Sequence, residues 1–135
     1  MTFDEWDHKL PNRFHDAEIS TLEIDYPRRT MTLHMRLLSL IDGEYIAAVV
    51  AVTGLQFCSI GAPSPKYPYQ RKTAITVGGD PAKSDHLPEL DELTPTFPKD
   101  VASYRFFVHD WNNFIYIAAA DVDVKLLGEA QNIVN

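Results

Sequence analysis

Hydrophobic and polar residues alternate with a period of two along much of this chain. Leu22, Ile24 and Tyr26 fall on one side of a run whose other side is Thr21, Glu23 and Asp25. After the turn "PRRT" at 27–30 the alternation returns, with Met31, Leu33, Met35 and Leu37 set against Thr32, His34 and Arg36. Successive side chains of an extended strand point to opposite faces, so each run predicts a half-buried strand and the two together an antiparallel hairpin. Asp42-Gly43 is a dipeptide favoured in tight hairpin turns, and "EYIAAVVAVTGLQFCSIG" behind it is rich in β-branched and aromatic residues. It predicts one long strand, or two broken at Gly54. "KTAITVGG" predicts a short strand, and "ASYRFFV" and "FIYIAAADVDVKLL", flanking the turn "HDWNN", predict a second hairpin.

Helical signals are few. Thr2 followed by Glu5 has the spacing of a capping box, so Phe3 to Leu10 predicts a short helix that Pro11 helps to end. The proline-rich stretches Ala62 to Tyr69 and Asp80 to Asp100 predict loops, the second with one helical turn at "PELDEL". Strands dominate and no strand–helix–strand alternation occurs. The expected fold is mainly β: an antiparallel sheet forming a sandwich or open barrel, with one short N-terminal helix.

A length of 135 residues fits a single domain over 1–135, large enough to bury about two-thirds of its unfolded surface. The net charge of −7, with no basic stripe, excludes nucleic acid and anionic lipid as natural partners. The opening "MTFDEWDHKL" is acidic where a signal peptide is basic, and no segment approaches eighteen apolar residues, which together imply a cytoplasmic protein. Cys58 has no disulfide partner and sits in an apolar run, where a thiol behaves as a small hydrophobe.

Four of the five histidines stand beside an aspartate: Asp7-His8, His15-Asp16, Asp85-His86 and His109-Asp110. Imidazole and carboxylate together suit a divalent metal, so His15 and Asp16 with His109, Asp110 and Trp111 form the candidate binding site if the hairpin ends meet. That site would serve a small molecule or metal, with hydrolysis as the attendant chemistry. The metal-dependent phosphohydrolases that carry His-Asp doublets hold them on helices, and no helical periodicity surrounds either doublet here. Adjacent residues on a strand also face opposite ways, so one doublet rarely gives two ligands to one ion. The doublets read first as strand boundaries, with no metal and no cofactor assigned. No Gly-rich phosphate loop, G-x-S-x-G elbow, C-x-x-C pair or H-E-x-x-H appears, so no catalytic residue is named. "KYPYQRK" at 66–72 sets two tyrosines among basic residues, a combination that suits an anionic or aromatic group but reads first as a solvated loop packing its tyrosines on the sheet.

The hairpin from Phe14 to Leu38, opening "FHDAEI", resembles that of small uncharacterised bacterial proteins beginning with a Phe-His-Asp or Leu-His-Asp step, some grouped with immunity proteins of polymorphic toxin systems. The resemblance implies a compact module that binds another protein and carries over no catalytic residue. A non-enzymatic binding module with a protein partner is therefore the expected function. A homodimer is expected as well, because Phe114 to Ala120 is apolar on both faces and needs two covers.

Overall fold

The structure, a computed structural model, describes residues 1–10, 12–39, 42–62, 74–79, 87–108 and 113–127. Strands β1 (His15–Asp25), β2 (Thr30–Leu38), β3 (Tyr45–Ile60), β5 (Ala102–Val108) and β6 (Asn113–Leu126) make one antiparallel sheet in the order β1-β2-β3-β6-β5, curled into a half-barrel. Short β4 (Ala74–Gly79) pairs with β1 on one side and β5 on the other and closes the ring. Of the two architectures the pattern allows, the sheet takes the curled one. Helix α1 (Phe3–Lys9) ends at the C-cap Leu10, and α2 (Pro88–Leu93), the "PELDEL" turn, runs into a 3₁₀ turn at Thr94–Thr96.

The first predicted hairpin forms for the reasons its sequence suggests, and β5 and β6 pair as the second, residues 109–112 of its turn lying outside the described residues. Leu22 pairs with Leu33 and Ile24 with Met31, while Asp25 Oδ1 accepts from the Arg28 N–H at 3.2 Å to hold the turn. At the next turn Gly43 adopts φ 71°, and Ser39 N–H donates to the Glu44 carbonyl at 2.8 Å. Strand β1 starts at His15, ahead of the alternating run that opens at Thr21, because a bulge between His15 and Glu18 breaks the period without breaking the pairing to β4.

Inside the barrel lies an aromatic cluster. Phe3 stacks on Tyr104 with centroids 4.9 Å apart, and Phe106 meets Phe3, Phe14 and Tyr104 edge-on at 5.4, 5.5 and 5.1 Å. Met31, Leu33, Met35, Val50, Val52, Ile115 and Ile117 continue this core. Helix α1 reaches it because its amphipathic side carries Phe3 inward while the Thr2–Glu5 capping box fixes the first turn. Strand β5 pairs with β6 only up to Ala102↔Ala119, so beyond that point the edge of β6 is taken by the N-terminal segment instead. Val122 N–H donates to the Met1 carbonyl at 2.7 Å, and Trp6 Nε1 donates to the Val122 carbonyl at 2.7 Å.

Asp7, of the first His-Asp doublet, is 3% exposed and ties the helix to β1: its Oδ1 accepts from the Phe14 N–H at 3.0 Å. Arg13 Nη1 lies 3.8 Å from the other oxygen. Removing a buried acceptor leaves an amide without its partner where water is scarce, so Asp7→Ala is expected to lower stability by about 1–3 kcal/mol in urea unfolding. Asp7→Asn, which keeps an acceptor oxygen, should lose visibly less.

The two-sided strand is explained within the chain. Ile115, Ile117 and Ala119 face the barrel core, whereas Tyr116 and Ala118 face outward and pack under Leu90, with Leu87, Phe97, Val101, Phe57 and Phe114 around them. The second cover comes from α2 and its flanks, so drying this face asks nothing of a second subunit. Past Ala119 the phase changes. Val122 and Val124 point inward again, and Asp121, Asp123 and Lys125 meet water. The same change occurs opposite, between Val52 and Leu55, where Gly54 sits at φ 64° against Ala120.

Candidate functional site

His15 and Asp16 open β1 through two left-handed residues, Arg13 at φ 54° and Asp16 at φ 59°. Aspartate tolerates that conformation better than most residues, which accounts for the placement of the doublet at a strand start. The positive φ also undoes the opposite-faces rule of an extended strand: Asp16 Oδ2 comes back to 3.7 Å from His15 Nε2. Both side chains stand about half in solvent, at 54% and 47% exposure, so their attraction is heavily screened. Asn12 Nδ2 donates to the His15 carbonyl at 3.1 Å and completes the turn.

The other half of the candidate site, His109, Asp110 and Trp111, lies outside the described residues, as do Asp85-His86 and the stretch 66–72. The residue before it, Val108, pairs with Thr76 of β4, whose neighbour Val77 pairs with His15. His15 and Val108 thus occupy the same level of the barrel wall on either side of β4, about 10 Å apart at two strand spacings. Among the described residues no three His, Cys, Asp or Glu side chains are grouped as a metal ion needs. Also among the described residues, no helix is long and apolar enough to cross a membrane.

Sequence reasoning missed a second location. Ile24 and Tyr26 continue the alternation of β1 and read as part of a buried face, yet they are 41% and 84% exposed. They form one wall of a groove of about 370 Å³ whose other lining residues are Arg29, Leu55, Gln56, Phe57, Cys58 and Leu93. Leu93, at the end of α2, is itself 41% exposed. Alternation reports which side of a strand a residue is on, not whether anything lies there. The β1–β2 turn, the middle of β3 and the end of α2 are remote in sequence, and only the curl of the sheet brings them together.

Cys58, on this groove, is unsuited to nucleophilic work. Burial pushes its thiol up to about 11, leaving the neutral form at any physiological pH. At pH 8 a disulfide reagent is expected to label the folded chain roughly a hundredfold more slowly than the chain in denaturant, since two pH units leave that much less thiolate. Equal rates in the two states would contradict the placement of Cys58.

Comparison with known proteins adds little. No protein-family model and no curated protein matches the chain. A structural likeness is found to an uncharacterized protein from Neisseria gonorrhoeae, known from a crystal structure, with 12% sequence identity, a TM-score of 0.40, and coverage of 82% of this chain and 91% of that one.

Proposed function

We propose that this chain is a non-enzymatic binding module that takes a protein partner through the groove beside the β1–β2 turn. The observation that carries the reading is the gathering of Ile24, Tyr26 and Leu93, all large, apolar and exposed, around one concave wall. Scattered apolar residues on a surface need no explanation, but several around a groove mark an interaction site. Tyrosine suits such a place, since it gives a large rigid contact at small entropic cost and keeps a polar tip. The hairpin that presents Ile24 and Tyr26 is the one that resembles that of small uncharacterised bacterial proteins, some grouped with immunity proteins, and the acidic balance of −7 favours an encounter with a basic partner body.

Small probes can stand in for a partner's side chains. Titrating indole and p-cresol into ¹⁵N-labelled protein is expected to shift the amide resonances of Ile24, Tyr26, Phe57 and Leu93 ahead of all others. Tyr26→Ala combined with Leu93→Asp should abolish the shifts while leaving stability within about 1 kcal/mol, as surface changes do. Shifts confined to another part of the molecule would reject this surface.

A further inference from the structure

The groove has a backbone wall as well as a side-chain wall. After the corner at Gly54, β3 pairs with β6 as Cys58↔Ile117, Ser59↔Tyr116 and Ile60↔Ile115, and Gly61 N–H donates to the Phe114 carbonyl at 3.0 Å. Residues of an antiparallel ladder alternate between those that bond the neighbouring strand and those that turn N–H and C=O away from it. Since Gly61 bonds β6, so do Ser59 and Phe57, and Cys58 and Ile60 turn their backbone groups to the other side. On that side β2 has already ended. Its pairing with β3 finishes at Thr30↔Thr53, and the last bond across is Leu55 N–H to the Arg29 carbonyl at 2.9 Å. Among the described residues no strand pairs with 56–60 there.

Resting on the binding function proposed above, we infer that the occupant of the groove is an extended peptide segment. It adds as a strand along Cys58–Ile60, seats an apolar side chain among Leu55, Phe57 and Leu93, and offers a carboxylate to Arg28 and Arg29. An open row of N–H and C=O groups is matched by another extended backbone, and pockets beside the row then select its side chains. The charge argument is local. Among the described residues Arg29 lines the groove and no carboxylate does. Among the described residues the Arg29 guanidinium makes only a 3.5 Å contact to the Leu55 carbonyl, and Arg28, 82% exposed, is held loosely at 3.8 Å by Asp25. Two guanidinium forks with donors to spare recognise a carboxylate well. A second copy of this chain fits the edge poorly. Pairing two β3 edges about Cys58 would set residue 61 of one copy against Leu55 of the other, whose N–H is already taken by Arg29.

The test begins with selection of a displayed random-peptide library on the immobilised full chain, with the Tyr26→Ala and Leu93→Asp double variant as the counter-target. Enriched peptides are expected to alternate apolar residues with at least one Asp or Glu. A synthetic version should slow amide exchange at Cys58 and Ile60, lose about tenfold in affinity when N-methylated at an edge-bonded position, and lose a similar factor against Arg28→Glu. Binding that leaves the Cys58 and Ile60 amides unprotected and tolerates N-methylation would overturn strand addition while keeping the groove as a side-chain site. Equal enrichment on the double variant, or none at all, would overturn both. Protection of Cys58 and Ile60 in the absence of peptide, with a doubled mass in light scattering, would make a second copy the occupant and reject the peptide.

Discussion

Replacing Phe106 by alanine is expected to lower the thermal midpoint by about 10–15 °C, the largest single-residue effect in the molecule. Its ring is fully buried and touches three others, Phe3, Phe14 and Tyr104, at centroid distances of 5.1 to 5.5 Å. Truncating such a ring removes its transfer free energy and leaves a cavity that rigid neighbours close only in part, for a loss of about 3–5 kcal/mol. A domain of this size has roughly 5–15 kcal/mol in all. Phe106→Leu fills most of the space and should lose under half as much. The coupling to the helix can be read separately. Because Phe3 and Phe106 share a contact, the Phe3→Ala and Phe106→Ala double variant should fall short of the sum of the two single effects. Strict additivity, measured by urea unfolding, would mean that α1 is not seated on this cluster.

The second large effect belongs to a residue with no side chain. At Gly54 the backbone takes φ 64°, and a Cβ built there would lie 2.7 Å from the Ala120 Cβ. Alanine at this position carries two costs: about 1–2 kcal/mol for the left-handed conformation, and a further 1–3 or so for forcing β3 and β6 apart. Gly54→Ala is therefore expected to lose about 2–5 kcal/mol. The two contributions can be separated, because Ala120→Gly removes the obstructing methyl and leaves the conformational cost. The Gly54→Ala and Ala120→Gly pair should recover part of the loss relative to Gly54→Ala alone. No recovery, or a Gly54→Ala variant as stable as the parent, would rule out the close approach of the two strands.

How far the sequence reveals this fold depends on whether the controlling interactions are local. The hairpin around Asp25 to Arg29, the Asp42-Gly43 turn and the Thr2–Glu5 capping box are all set by residues within a few positions of each other, and all are legible. The closure of the ring is not, because β4 joins His15 to the vicinity of Val108 through pairings that leave no periodic mark. Strand β6 lies between these cases. Its loss of alternation before Ala120 announces two covers, but a pattern of apolar residues does not say who supplies them, and Leu90 does so from its own chain. The candidate site divides in the same way. That His15-Asp16 marks a strand boundary follows from the turn chemistry of aspartate. The left-handed twist that folds the pair back on itself needs the bulge opposite β4. The groove left no signal, since Ile24 and Tyr26 differ from buried strand residues only in what happens to lie above them.

The seating of α1 also bears on how the chain is made. Its partners, Phe14 apart, are Tyr104, Phe106 and Val122, separated from it by roughly a hundred positions. A ribosome adding about 5–20 residues per second delivers β5 and β6 many seconds after the helix has emerged. Through that interval Phe3 and Trp6 have no seat, and a helix of seven residues is too short to persist by itself. The amino-terminal segment is therefore synthesised early and docked late, and its interval of exposure is when a chaperone would have most to hold.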